Sequence, residues 1–272
     1  MKRLQTLISK LRIENRTGLV ACVVAGDPDA ATTARLMREL PDAGAEAMEL
    51  VIPFSDPVAD GPTIAAAHRR SLASGQTLEM TLQLVESFRK TDSVTPLLLM
   101  GYLNPVLAAG PEAFFVRAAA CGVDGVILVD LPLEHRDPWA RAARACGVAL
   151  LGMWAPTANG ERACRVLAAS DTLTYLVTRT GTTGRGAADA SELCERVRWA
   201  RANGATALMA GFGIRTREQL EALPGEVELA VVASRLVEEL ERTENAVERV
   251  LEVVRELAGG APATGARKPV AN

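Results

Sequence analysis

Glu49 is the one charged residue in the apolar run Ala47-Met48-Glu49-Leu50-Val51-Ile52. In a strand, side chains alternate, so Ala47, Glu49 and Val51 share one face and Met48, Leu50 and Ile52 the other. The bulky set suits contact with covering helices, which points the set containing Glu49 inward. An inward carboxylate is costly to ionise, and that cost lifts its pKa toward the range useful for general acid–base work. The same position also suits a core Glu neutralised by an Arg or by hydrogen bonds, and spacing alone leaves both open. Asp60 follows in Phe54-Ser55-Asp56-Pro57-Val58-Ala59-Asp60-Gly61-Pro62. It reads either as a second carboxylate, serving the opposite end of a substrate, or as the N-cap of the next helix. Asp56 reads equally as a turn residue beside Pro57.

A third group suits an anion. Gly181-Thr182-Thr183-Gly184, Gly211-Phe212-Gly213 and Ala233-Ser234 each follow a short apolar run. Glycines let backbone N–H groups approach a phosphate, and a helix beginning after Ser234 would add its positive end. The alternative is three tight strand-to-helix turns; their recurrence on consecutive connections favours phosphate.

Other chemistries are excluded by what is missing. His68 and His135 are the only histidines, so no multi-histidine metal site exists, and no G-x-S-x-G elbow supports a serine triad. The five cysteines, Cys22, Cys121, Cys146, Cys164 and Cys194, are odd in number and scattered without a C-x-x-C. That pattern fits a reducing cytoplasm better than a disulfide framework or zinc module. Thirty basic against 33 acidic residues leave a net charge of −3, no field for nucleic acid or an anionic membrane. No apolar run approaches the roughly 18 residues of a membrane span. Met1–Asn15 is basic and amphipathic, with Leu4, Leu7, Ile8 and Leu11 at helical spacing, and reads as a first helix covering a core rather than a signal peptide.

The elements that would position these residues alternate along nearly the whole chain. Short apolar runs occur at Val20–Ala25, Met48–Pro53, Pro96–Tyr102, Gly125–Asp130, Val148–Trp154, Leu173–Thr178, Ala207–Phe212 and Leu229–Ala233. Helical stretches such as Asp29–Leu40, Glu112–Cys121 and Ser191–Asn203 lie between them. Eight strand–helix units in 272 residues match a (β/α)8 barrel with an extra N-terminal helix. A doubly wound open sheet is the rival, disfavoured by the unbroken repeat. Residues 1–257 form one expected domain, and the Ala-, Gly- and Pro-rich 258–272 a disordered tail. The stripe from Leu236 to Leu257 predicts the last barrel helix. Loops after strands emerge at the catalytic face of such a barrel.

With those motifs in place, the chain resembles the tryptophan synthase α subunit family. The Glu49 strand, Pro53-Phe54-Ser55-Asp56-Pro57, Ala59-Asp60-Gly61-Pro62 and Gly26-Asp27-Pro28 carry the resemblance. So do Gly101-Tyr102-Leu103-Asn104-Pro105, Asp130-Leu131-Pro132, Thr178-Arg179-Thr180-Gly181 and Gly211-Phe212-Gly213, in register from about Leu4 to Leu257. The resemblance implies a (β/α)8 barrel that cleaves indole-3-glycerol phosphate to indole and glyceraldehyde 3-phosphate in tryptophan biosynthesis, without a cofactor. It implies Glu49 as acid–base at indole C3 and the glycerol hydroxyl, and Asp60 as partner of the indole N–H. Tyr175 and Thr183 would place the substrate. Phe212, Cys22, Met100, Ile127 and Met153 would enclose the indole, with Gly184, Gly213, Ala233 and Ser234 around the phosphate. Phe54, Asp56 and Asn104 would face a pyridoxal-phosphate β subunit that receives indole through a tunnel. Val51 stands where the family has a glycine, Cys22 where some members have an aromatic, Ala65 for a common glutamine and Ala233 for a common glycine. Three other roles compete: a stand-alone indole-producing lyase, a weakly catalytic activator of a β subunit, and a barrel enzyme for another indole or anthranilate sugar phosphate.

Overall fold

A computed structural model describes residues 1–177, 190–211, 213–223, 225, 227–242 and 244–260, the side chains of 190 and 191 apart. The strands are β1 (Gly18–Val24), β2 (Ala47–Val51), β3 (Leu97–Gly101), β4 (Gly125–Leu128), β5 (Ala149–Leu150), β6 (Gly152–Trp154), β7 (Thr174–Val177), β8 (Leu208–Gly211) and β9 (Leu229–Val232). The helices are α1 (Lys2–Ile13), α2 (Ala30–Ala43), α3 (Pro62–Ala73), α4 (Leu78–Arg89), α5 (Leu103–Ala109) and α6 (Pro111–Cys121). They continue with α7 (Arg136–Ala145), α8 (Gly160–Ala169), α9 (Ala190–Ala202), α10 (Arg217–Glu221), α11 (Ser234–Leu240) and α12 (Ala246–Ala258).

All strand pairings are parallel, in the order β5-β4-β3-β2-β1-β9-β8-β7-β6. The two ends of that order, β5 and β6, are one stretch of chain interrupted at Leu151, so the sheet closes on itself. Each strand pairs with its neighbours in sequence, which is the barrel and not the doubly wound sheet. The fifth expected strand is therefore split: its first half pairs with β4 and its second with β7. Arg136, buried on α7, donates to the carbonyls of Leu150, Leu151 and Ala169 at the break. It supplies hydrogen bonds that an unbroken ladder would otherwise provide.

The alternation expected around Glu49 holds. Ala47 and Val51 join Val20, Cys22, Val24, Leu98 and Ile127 in the barrel interior, while Met48, Leu50 and Ile52 pack in the outer layer with the helices. α1 closes the N-terminal end, with Leu4, Leu7, Ile8 and Leu11 packed onto that interior cluster. A Cβ on Gly18 would stand 2.8 Å from a Leu11 methyl, so glycine at the start of β1 lets the plug seat without that side chain shifting. Two ion pairs bolt α1 in place: Arg3 to Asp124, at 3.0 Å, and Arg12 to Glu228, at 2.7 Å.

The expected last helix proves to be two. α11 ends at Leu240, and α12 begins after Asn245, whose φ of +53° lies in the left-handed region and interrupts the helical path. α12 runs to Ala258, one residue past the expected domain edge, and 261–272 lie outside the described residues. Among the described residues no helix is long and apolar enough to cross a membrane. Because Leu11 is fully buried, Leu11→Ala should cost about 2–5 kcal/mol. Urea unfolding followed by circular dichroism would read this, and a loss below about 1 kcal/mol would show that α1 does not plug the core.

Candidate active site

β2 delivers Glu49 to the interior beside Cys22, its register partner on β1. Glu49 is 1% exposed. Burial pushes its pKa up to about 7; a hydrogen bond with the Cys22 thiol opposes the rise, and the negative charge of Asp60 adds to it. Glu49 Oε2 is buried and has no hydrogen-bond partner among the described residues. A structural core Glu would have been satisfied by an Arg or by several donors. Here a carboxyl that titrates near neutrality keeps one oxygen free for a reacting group, as an acid–base catalyst requires.

Asp60 is also buried, on the loop after β2. The capping role is excluded: the N-cap of α3 is Gly61, and Pro62 occupies the first helical turn. The Asp60 side chain turns instead to two donors that meet on one oxygen. The Tyr102 hydroxyl donates to Oδ2 at 2.7 Å, and His68 Nε2 lies 3.2 Å from the same atom. Tyr102 in turn accepts from the Ala59 N–H at 3.0 Å and stacks on Phe54 with centroids 5.1 Å apart. Burial and the Asp60 carboxylate hold the Tyr102 phenol well above its ordinary pKa, so it stays a donor. Sequence spacing gave His68 and Tyr102 no role. The available signal was the α3 pattern Ile64, Ala67, His68, Ser71, which sets the imidazole on the buried face. Asp56 is not brought to this group. It is exposed, accepts from the Ser55 hydroxyl at 2.5 Å, and belongs to the turn.

Tyr175, on β7, completes the inner surface. Burial, then the nearby acidic groups with Glu49 first, hold its phenol well above its ordinary pKa, so it stays protonated. A Cβ on Gly211, across on β8, would overlap the Tyr175 hydroxyl, so that close approach requires glycine. Cys22 and Ile127 lie in the interior cluster, with Met100, Met153, Tyr175 and Ala233 packed against it. Val51 is fully buried in that cluster and pairs with Val24 and Met100. The anion group is seen in part: Gly213 has φ +71°, Ala233 precedes α11 and Ser234 opens it. Thr183, Gly184 and Phe212 lie outside the described residues. Phe54 is half-buried, while Asp56 and Asn104 are exposed on connections that follow β2 and β3.

The sequence from residue 8 to 263 matches the family model of the tryptophan synthase alpha chain. The chain belongs to the tryptophan synthase alpha chain family. It is 46% identical over 260 residues to a tryptophan synthase alpha chain of Caulobacter vibrioides, covering 94% of each. The tryptophan synthase alpha subunit of Legionella pneumophila superimposes with a TM-score of 0.86 at 31% identity, over 94% of this chain and 97% of that one. A chain of the tryptophan synthase α2β2 complex of Pyrococcus furiosus gives 0.79 at 34% identity, over 89% and 97%.

The Glu49 pKa makes stability depend on pH. The folded value, about 7, lies above the ordinary 4.5, so the folded state binds this proton more tightly. That contribution is full below about pH 4.5 and is lost as pH rises through 7. A difference of this size corresponds to about 3 kcal/mol. Glu49→Gln should therefore gain stability over wild type by about that amount between roughly pH 5 and pH 8.5. Parallel urea titrations at the two pH values would show it, and a pH-independent difference would contradict the raised pKa.

Proposed function

We propose that the chain cleaves indole-3-glycerol phosphate to indole and glyceraldehyde 3-phosphate, as the alpha chain of a tryptophan synthase. The observation that carries this reading is the pairing of Glu49, poised near neutrality in an apolar wall, with an Asp60 side chain fixed by two donors. Protonated Glu49 gives its proton to indole C3, which becomes tetrahedral and leaves positive charge on the ring nitrogen. The Asp60 carboxylate accepts the ring N–H and stabilises that charge. Glu49, now a carboxylate, takes the proton of the glycerol hydroxyl next to the ring. The C–C bond then breaks, its electrons restore the aromatic indole, and the hydroxyl carbon leaves as the aldehyde. Glu49 ends as it began, and the steps need proton transfer alone, with no cofactor.

Cys22, Met100, Ile127, Met153 and Tyr175 supply the apolar wall for indole, with Phe212 and Thr183 completing the enclosure. The glycine turn at Gly213 and the start of α11 at Ser234 receive the phosphate, with Gly184 assigned the same role by the family pattern. The family and the α2β2 architecture of the Pyrococcus furiosus relative favour a pyridoxal-phosphate β subunit as partner. The exposed Asp56 and Asn104, with Phe54 beside them, form the docking face. Steady-state cleavage by the purified chain, with and without a β subunit, tests the role. Low activity that rises sharply with the partner is expected; high activity indifferent to it would make the chain a stand-alone indole-producing lyase.

Two substitutions test the assignments. Glu49→Gln should lower kcat by at least about 100-fold with KM little changed, because it removes proton transfer and leaves shape intact. Asp60→Asn should lower kcat by roughly 10- to 100-fold, since an amide oxygen still meets the ring N–H but carries no charge. Near-wild-type kcat in either variant would remove that residue from the mechanism.

A further inference from the structure

His68 is fully buried, and both of its ring nitrogens are engaged. Nδ1 lies 3.0 Å from the backbone N–H of Phe54, which can only donate. Nδ1 therefore accepts, and the ring proton sits on Nε2, facing Asp60 Oδ2 at 3.2 Å. The imidazole also stands edge-on to Tyr102, with centroids 6.3 Å apart, so the ring is confined by covalent attachment to α3, by two hydrogen bonds and by an aromatic wall. No donor among the described residues reaches Asp60 Oδ1, whereas Oδ2 takes both Tyr102 and His68.

We propose that His68 is a positioning residue for the reaction: through its Nε2 proton it fixes the rotation of the Asp60 carboxylate, holding Oδ2 in the protein and presenting Oδ1 to the substrate N–H. The proposal rests on the lyase reading of Asp60. Tyr102 alone leaves the carboxylate free to turn about a single bond; the second donor, arriving from a different element, removes that freedom. The charge on indole nitrogen is greatest after C3 is protonated, so an Asp60 that turns away costs transition-state stabilisation more than substrate binding. Misplacement of a catalytic group by about 1 Å can cost on the order of 100-fold in rate.

The two nitrogens can be separated by substitution. The amide oxygen of His68→Asn falls near the place of Nδ1, keeping the acceptor for Phe54 and losing the bond to Asp60. The amide nitrogen of His68→Gln falls near Nε2, keeping the donor to Asp60. We expect His68→Asn to lower kcat by about 10- to 100-fold with KM changed by less than about threefold. His68→Gln should restore most of that kcat. Loss in His68→Gln with retention in His68→Asn would show that the ring merely supports the Phe54 backbone and would overturn the proposal, as would full activity in both. Nitrogen-15 NMR of the unsubstituted chain gives a test that survives any folding failure. It should show Nε2 protonated, Nδ1 bare, and an Nε2 proton whose shift moves in Asp60→Asn; a proton on Nδ1 would overturn the proposal. A wild-type chain that cleaves nothing defeats the lyase reading and the positioning role with it. Wild-type cleavage that persists in His68→Asn defeats the positioning role alone.

Discussion

A carboxylate on the inward face of a barrel strand loses its hydration, and this end of the molecule is arranged around how that loss is left uncompensated. The opposite end shows the contrast. Asp124 and Glu228 are as buried as Glu49, at 1% and 2% exposure. Asp124 meets Arg3, Arg89 and the Leu97 N–H; Glu228 meets Arg12, Arg201 and the Leu208 N–H. Each ties helices to strand starts as a satisfied ion cluster, where removing one partner would strand a buried charge. Among the described residues Glu49 has the Cys22 thiol beside it and no cation. The same residue chemistry is thus neutralised at the N-terminal face and left without a cation among the described residues at the C-terminal face, the face where such barrels carry their chemistry.

Asp60 is treated in a third way. Its donors, a phenol and an imidazole N–H, fix the carboxylate without neutralising it. A guanidinium in their place would bind Asp60 more tightly but would cancel the negative charge that helps raise the pKa of Glu49. Asp27, close by on the loop after β1, shows that alternative: fully buried, it is held in a bidentate pair by Arg70, at 2.7 and 2.8 Å, and anchors α3 rather than serving chemistry. A phenol and an imidazole on Asp60 and a guanidinium on Asp27 give the two neighbouring carboxylates opposite environments.

Much of this was legible in the chain because the signals are local. A lone Glu in an apolar alternating run fixes both the strand and its inward face, and repeated short apolar segments reveal the barrel. What failed to show depends on distant contacts. At the break at Leu151 an Arg from the preceding helix meets the strand carbonyls, while apolar composition runs straight through. The stripe from Leu236 to Leu257 continues across two helices, so periodicity hides the turn at Asn245. Asp60 resembles an N-cap because it lies near a helix start; Pro62, which suits the first turn, shifts the cap to Gly61. His68 reads as an ordinary buried-face residue, and only the folded loop brings Phe54 and Asp60 to its two nitrogens.

Those contacts join the loop after β2 to the Asp60 carboxylate by two routes that share one residue. The Phe54 N–H sets the tautomer of His68, and the Phe54 ring backs Tyr102; both partners end on Asp60 Oδ2. The Ala59 N–H adds a third tie from the same loop to the Tyr102 hydroxyl. The position of Asp60 is therefore not a property of its own backbone alone. A displacement of Phe54 reaches both donors together, the imidazole through its Nδ1 and the phenol through the stacked ring, while Ala59 still holds the phenol hydroxyl. The loop that carries Asp60 also carries the frame that holds it, and the orientation of the carboxylate follows the conformation of the loop as a whole.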